Sequence, residues 1–213
     1  MPRNSADTRD LLVDAGRRLF ATSGVYTTSL KAVIEAAGQR NTSALHYHFG
    51  GRRGLLDAII DASNAEIEAE RKDLLDAATA PVRLHQLVDA VVLPQARLLH
   101  RPEGRQFLAI ISQLSDLFDR WEDGATPPQA LRAFAGIKAS LPPALDDSLR
   151  HERVTRFLEL VSEALGSRAR QLEGGRSPAL HHDAWVANLT AMAVGALRAD
   201  PDVRSGYEVV DSR

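Results

Sequence analysis

One stretch of the 213-residue chain, residues 29–55, constrains the fold more than any other. Apolar side chains recur at helical spacing in its first part: Leu30, Val33, Ile34 and Ala37. Gly38 then ends the helix, because glycine adopts the left-handed conformation at little cost. A polar run from Gln39 to Ser43 follows, and a second helix of about two turns is expected over Ser43–Phe49. The pattern predicts two short helices joined by a tight turn.

The second short helix has a polar outer side. Leu45 and Phe49 are four residues apart and are expected to point inward together, which leaves Ser43, His46 and Tyr47 facing outward. Short polar side chains bond to base edges and phosphates, and a single helix fits the major groove of DNA. The arrangement is typical of a helix-turn-helix, in which the second helix contacts the bases.

The spacing of these residues resembles the DNA-binding domain of the tetracycline-repressor (TetR) family of bacterial regulators. The matching residues extend over some fifty positions: Thr8-Arg9, Leu11-Leu12, Ala15, Leu19-Phe20, Gly24, Thr28-Ser29, Ala36-Ala37-Gly38, Leu45, Tyr47-His48-Phe49, Arg52 and Leu55-Leu56. The turn is one residue longer than the common family pattern. His46 stands where many members have tyrosine, and Arg52-Arg53 replaces a lysine followed by an acid.

The resemblance implies a set of DNA-contacting residues. Those expected to meet bases or the adjacent phosphates are Arg40, Thr42, Ser43 and His46. Those expected to hold the DNA backbone are Thr28, Ser29, Lys31, Tyr47, His48 and Arg52. Asn41 completes the set, and either Asn41 or Thr42 is expected to cap the second short helix. Thr28 is also a candidate N-cap for the helix before the turn, whereas Arg53 is expected to be a solvated charge and not a DNA contact.

Charge is distributed unevenly along the chain. Residues 1–55 hold eight basic and four acidic side chains, a net charge of +4, whereas the whole chain carries −2, so the remainder carries −6. A basic N-terminal part on an acidic body suits DNA binding at one end, although a charged surface of this size also occurs on proteins that bind no DNA. We expect a DNA-binding domain at 1–55 and a ligand-binding and dimerisation domain at 56–213.

The rest of the chain reads as helices separated by glycine, proline and polar breaks. We expect the nine helices of an all-α fold at about 6–22, 28–37, 43–49, 52–78, 81–100 with a kink at Pro94, 102–121, 128–140, 144–173 and 180–199. Residues 203–213 are not assigned. No segment alternates as a strand does.

For the body, the resemblance implies a homodimer and a small-molecule site. The last two helices are expected to pair across a two-fold axis, with the candidate interface residues Phe157, Leu160, Trp185, Leu189 and Met192. The candidates for a mostly apolar ligand site are Arg97, Gln113, Phe118 and Trp121. Membership of the internal core is the alternative for each of these residues.

Other functional classes find little support in the sequence. The chain has no cysteine, and no His-Glu-x-x-His, Gly-x-Ser-x-Gly or phosphate-loop motif occurs. His181 and His182 are adjacent, so on a helix they point in different directions. No cofactor or metal is expected, and the polar N-terminus and the lack of a long apolar run favour a soluble cytoplasmic protein.

The sequence therefore predicts a homodimeric transcriptional regulator, not an enzyme. It is expected to act as a repressor that a small apolar or amphipathic ligand releases from a palindromic operator in double-stranded DNA. Two alternatives stay open: an activator with the same fold, and a helical small-molecule-binding protein whose helix-turn-helix serves only packing.

Overall fold

The computed structural model describes residues 5–39, 41, 43–114 and 118–200, so Arg40, Thr42, Leu117 and the unassigned tail lie outside the described residues. Within these residues the chain is all α-helical, as the sequence predicts. The helices are α1 (Ser5–Ser23), α2 (Leu30–Ala36), α3 (Ser43–Phe49), α4 (Arg52–Ala77), α5 (Leu84–Arg97), α6 (Pro102–Ile111), α7 (Pro128–Ser140), α8 (Asp147–Glu173) and α9 (His182–Arg198). A short 3-10 helix, Leu98–His100, follows α5.

The first three helices and the start of α4 enclose a small hydrophobic core. Its fully buried members include Leu12, Phe20, Val33, Leu45 and Leu55. Ile110 of α6 and Leu114, which follows α6, belong to the same cluster. The predicted division into residues 1–55 and 56–213 stays a prediction, but hydrophobic contacts cross that boundary.

The larger core lies among α4 to α9, where α6 packs on α8 and α5 packs on α4, α7 and α9. Helix α5 is shorter than predicted, because it begins at Leu84 and not at Pro81. The Arg83 N–H donates to the Gln86 side chain at 2.9 Å, which satisfies a backbone donor at the start of the helix.

Helix α6 is also shorter than predicted, since it ends at Ile111 and does not continue to Trp121. The Gln113 side chain donates to the Ala109 carbonyl at 2.8 Å and accepts from the Val25 N–H at 2.9 Å. The first bond satisfies a carbonyl near the end of the helix, and the second ties this end to the N-terminal helices. The end of α6, which the apolar spacing did not predict, therefore coincides with a hydrogen bond between Gln113 and the distant Val25.

Pro94 lies inside α5, as predicted, and the carbonyl to which a residue at this position would normally donate accepts a hydrogen bond from another residue. Proline has no N–H to donate to the residue four positions earlier, which here is Ala90. The Ala90 carbonyl instead accepts from Arg71 Nε of α4 at 3.0 Å. Arg71 is 4% exposed and pairs with Glu68, whose carboxylate accepts the N–H groups of Gln129 (2.7 Å) and Ala130 (3.1 Å) at the start of α7. One buried ion pair therefore joins α4, α5 and α7.

Candidate nucleic-acid interface

The turn between α2 and α3 is built from local hydrogen bonds. Ser29 is the N-cap of α2, and its hydroxyl accepts from the Ala32 N–H at 3.1 Å. Gly38 has a φ of +65°, so glycine ends α2 in the left-handed conformation, as the sequence predicts. The Asn41 side chain accepts from the Ser43 N–H at 2.9 Å, which satisfies a free donor at the start of α3.

Helix α3 begins and ends where the sequence predicts, and its two sides differ sharply. Leu45 is fully buried, while Ser43 and His46 are exposed and the Tyr47 side chain is 82% exposed. Phe49 is partly buried, with the Arg9 guanidinium 5.4 Å from its ring centre. His48 is also partly buried, and its ring lies edge-on to Tyr47 at 5.1 Å. The buried side anchors α3 on the N-terminal core, and the polar side faces outward.

Thr28 does not have the predicted position. It is 5% exposed, and its hydroxyl donates to the carbonyls of Gly24 at 2.7 Å and Leu19 at 3.2 Å. The expectation that Thr28 caps α2 is wrong, because Ser29 is the cap. A hydroxyl that is buried and bonded inward is also withdrawn from DNA, so Thr28 leaves the set of candidate contacts.

The two predicted basic contacts differ in how free their charges are. Lys31 is 78% exposed in its side chain and lies 3.7 Å from Glu35, one turn further along α2. Arg52 is partly buried; it donates to the Val25 carbonyl, and its guanidinium lies 5.7 Å from the Phe20 ring centre. Lys31 is therefore available to a phosphate, whereas Arg52 also holds the segment between α1 and α2.

A shallow hollow of about 440 Å³ lies beside α3, and the sequence analysis did not foresee it. It is lined by Thr8, Gln39, Asn41, Ser43, Ala44, Tyr47 and His48. Thr8 belongs to α1, and Gln39 lies in the turn that follows α2. Only the packing of α1 beside the turn reveals these two as neighbours of the candidate contacts. Tyr26, 69% exposed, is a further outward side chain that periodicity did not single out.

Three of the four predicted ligand-site residues make contacts within the protein. The Gln113 amide is occupied, since it also donates to the Phe20 carbonyl at 3.2 Å. Trp121 is 2% exposed, with its ring stacked on His151 at 5.3 Å and edge-on to Phe134 at 5.9 Å. Phe118 packs against the body core. The ligand role of these three residues stays a prediction, although α6 ends at Ile111 and does not continue through them as expected.

The fourth residue, Arg97, lines a cleft of about 790 Å³ between α5 and α9. Its Nε lies 3.1 Å from Glu70 Oε1. The remaining residues of this α5–α9 cleft are His85, Asp89, Leu93, Ala96, His100, His182, Asp183, Val186, Ala187, Thr190, Ala191 and Val194. Apart from Arg97, the sequence predicted none of them as ligand-site residues, because the cleft lies between two helices that are about a hundred residues apart in the chain.

The five predicted interface residues divide into two groups. Phe157 and Leu189 are 2% and 4% exposed, so both are core residues of the protomer and the prediction is wrong for them. Leu160 and Trp185 are partly buried against the body core, and Met192 is 56% exposed. Trp185 also lies beneath the Arg168 guanidinium, 5.2 Å from its ring centre.

Among the helices that the structure describes, none combines the length and the apolar character needed to span a bilayer.

Known proteins similar to this chain include transcriptional regulators of the helix-turn-helix type. Residues 12–59 match the family model for bacterial regulatory proteins of the tetR family. The chain is 25% identical over 105 residues to the HTH-type transcriptional regulator SrpR of Pseudomonas putida, a match that covers 49% of this chain and 46% of SrpR. It is equally similar to the uncharacterized HTH-type transcriptional regulator TtgW of the same species, where 72% of the relative is covered. The match thus spans less than half of SrpR.

Solved structures share the fold over nearly the whole chain. A TetR-family regulator from Streptomyces coelicolor A3 is 18% identical, with 92% of this chain and 98% of the other covered and a TM-score of 0.53. A Rhodococcus sp. protein assigned to the same family is also 18% identical, with 90% and 99% covered and a TM-score of 0.53. Residues 12–59 are thus similar to the tetR family of bacterial regulatory proteins, in agreement with the described α2–turn–α3 geometry, and the chain as a whole shares the fold of these two structures.

Proposed function

We propose that the protein is a homodimeric, ligand-responsive transcriptional regulator that represses from a palindromic operator, and that it acts in the cytoplasm without catalysing a reaction. The observation that carries this function is the outward polar side of α3, which a fully buried Leu45 fixes on a rigid core. An 82% exposed tyrosine beside an exposed serine and histidine adds nothing to packing. The same groups are suited to hydrogen bonds with phosphates and base edges.

Each subunit would place α3 in a major groove. Ser43 and His46, with Arg40 and Thr42 of the turn, are the proposed base-side contacts. Ser29, Lys31, Tyr47, His48 and Arg52 are the proposed backbone contacts, and Asn41 holds the start of α3. Two-fold symmetry then requires the two α3 helices to lie about one DNA turn apart, ~34 Å.

The dimer face is proposed to lie on α8 and α9. Three of the large apolar side chains exposed in the described residues, Leu149, Leu180 and Met192, are on these helices or directly before α9. Leu160 and Trp185 are partly exposed on the same two helices. A symmetric partner would cover these side chains. Ligand binding in the body would favour a state in which the two α3 helices no longer match the groove spacing, so that ligand and DNA weaken each other's binding.

The first test is binding of the purified protein to DNA flanking its own gene, measured over a range of salt concentrations. We expect a saturable complex on one palindrome with two subunits, weakened steeply by salt because phosphate contacts displace counterions. The proposal would be overturned if the protein bound every fragment of the flanking DNA equally weakly and a selection from random DNA sequences also yielded no preferred site.

Two variants locate the contact surface. Tyr47→Phe removes one hydroxyl and is expected to weaken binding to all operators about tenfold, the loss of one hydrogen bond to a charged group. Ser43→Ala is expected to relax the preference at one base pair of each half-site. Ser167→Ala, an exposed serine on α8, is the matched control and should bind as the unaltered protein does. If Ser43→Ala and Ser167→Ala have the same base preferences, Ser43 is not a base contact.

A further inference from the structure

The α5–α9 cleft has the dimensions and the lining of a small-molecule site. At about 790 Å³ it falls within the range of ligand pockets in proteins. Its walls are mainly aliphatic: Leu93, Ala96, Val186, Ala187, Ala191 and Val194. A few polar side chains stand among them, and one of these, Asp89, has unusual surroundings.

Asp89 is partly buried in the cleft and has no hydrogen bond or ion pair among the described residues. Burial raises the pKa of its carboxyl above the usual value, and the charge that acts in the opposite direction is His85, one turn earlier on α5. A half-buried carboxylate without a partner destabilises the fold, because it loses water and gains no hydrogen bond in return. Such a group is explained if a ligand supplies the partner.

The other charges of the cleft leave it acidic. Asp183 is a second carboxylate, and the Arg97 guanidinium is already beside Glu70. Burial is the main cause that lowers the pKa of His182, with the nearby His100 ring at 4.2 Å contributing, so the neutral imidazole is favoured there. No three His, Asp or Glu side chains in the described part of the chain are placed to share a metal ion. The missing partner is therefore better supplied by an organic cation than by a metal.

Thr190 gives a second, independent observation. Its side chain lines the cleft, yet its hydroxyl oxygen is buried and has no hydrogen-bond partner among the residues that the structure describes. Buried polar atoms are nearly always paired, so an unpaired hydroxyl at a cleft wall marks a place where a ligand's polar atom would be satisfied.

From these observations we infer that the α5–α9 cleft binds a protonated organic amine with an apolar body, its ammonium group on Asp89 and its body along the aliphatic walls. Thr190 offers a hydrogen bond to a further polar atom of the ligand. The inference deepens the ligand control that the proposed function assumes and assigns it to a named site and a chemical class.

The chemical class can be tested with three probes of one shape, measured by calorimetry without DNA. The probes are 4-phenylbutylamine, which is a cation at neutral pH, the neutral 4-phenylbutanol and the anionic 4-phenylbutyrate. We expect the amine to bind at least about tenfold more tightly than the alcohol and the anion to bind least, because only the cation gains the Asp89 carboxylate. No amine binding up to about 1 mM, or tighter binding of the acid, overturns the inference.

Variants then place the site. Asp89→Asn should abolish the preference for amine over alcohol while keeping the alcohol affinity, since the shape of the cleft is retained. Asp183→Asn is the matched control, an exposed carboxylate of the same cleft, and should lower amine affinity by less than about threefold because solvent screens it. Ala187→Phe should weaken all three probes by filling the cleft. An unchanged amine preference in Asp89→Asn rejects the assignment.

The two proposals fail separately. A protein that binds operator DNA but shows no Asp89-dependent amine preference keeps the proposed function and loses this inference. A protein that binds the amine through Asp89 but binds no DNA specifically keeps the cleft assignment and loses the proposed function.

Discussion

The outward side of α3 and the α5–α9 cleft are two surfaces of one chain with opposite origins. The α3 surface comes from seven consecutive residues and the turn before them, and the Asn41 bond at the start of the helix spans only two positions. The lining of the cleft combines Asp89 of α5 with Thr190 and Asp183 of α9. The difference teaches that a contact surface carried by one helix is visible in periodicity, whereas a cleft between helices exists only once packing has placed them. The variants below change the two surfaces separately.

The largest effect is expected from Arg71→Met, which disturbs the support of the cleft. The change removes the donor to the Ala90 carbonyl, which Pro94 cannot supply, and leaves the partly buried Glu68 without its cation. We expect a loss of about 3–5 kcal/mol in the free energy of unfolding, measured by urea denaturation. Arg156→Met is the control, an exposed arginine paired with two glutamates on α8, and should cost less than about 1 kcal/mol. Similar losses in both variants would mean that the buried network does not organise α5.

Gln113→Leu tests the link between the two surfaces. Leucine is similar in size but leaves the Val25 N–H without its partner and removes one of the two donors to each of the Phe20 and Ala109 carbonyls. We expect a cost of about 1–3 kcal/mol in stability and a weaker effect of any cleft ligand on DNA binding. Gln106→Leu, which loses a single bond from Arg17, should cost less. Intact coupling in Gln113→Leu would show that the two parts communicate by another route.

Ser29→Ala tests whether the α3 surface depends on local capping. The hydroxyl satisfies the Ala32 N–H at the start of α2, and its loss should cost about 1 kcal/mol. Ser29→Gly should cost only a few tenths of that amount, because glycine is tolerated at an N-cap. If both variants are equally destabilised, the effect comes from something other than the cap.

The smallest effect is expected from Asp89→Asn, and it has a defined pH dependence. Because the pKa of Asp89 is raised in the folded protein, the folded state binds its proton more readily than the unfolded chain. The contribution of Asp89 to stability therefore falls as pH rises from its ordinary pKa, about 3.9, through the raised value. At pH 7 Asp89→Asn should be more stable than the unaltered protein by less than about 1 kcal/mol, since solvent screens a half-buried group.

The measurement is the midpoint of urea unfolding of both proteins between about pH 4 and pH 7. The advantage of Asp89→Asn should shrink toward the acid end, where the carboxyl is protonated in both states. A variant less stable than the unaltered protein at pH 7 would indicate that Asp89 already has a stabilising partner, which contradicts the cleft inference.

The sequence by itself determined the all-α fold, the limits of α3 and α7, and the two-sided character of α3. It did so because these features depend on interactions a few residues apart: Gly38 adopts the left-handed conformation that ends α2, and Leu45 repeats the apolar side of α3. The same local rules failed for Thr28, because a hydroxyl can cap the next helix or bond back to the preceding one. The turn after α1 places the Gly24 carbonyl within reach of the Thr28 hydroxyl, so the hydroxyl bonds backward.

Only the tertiary structure decided where α6 ends, which apolar residues stay within the protomer, and where the cleft lies. The Gln113 amide bonds residues about ninety positions away, so a stripe that looks continuous stops at Ile111. The periodicity of Phe157 and Leu189 is equally consistent with a dimer interface and with the core of the protomer. The sequence pattern shows that one side of the helix is apolar, but it does not show which part of the protein covers that side. Asp89 became a candidate for the same reason, since its burial and its lack of a partner are properties of two packed helices.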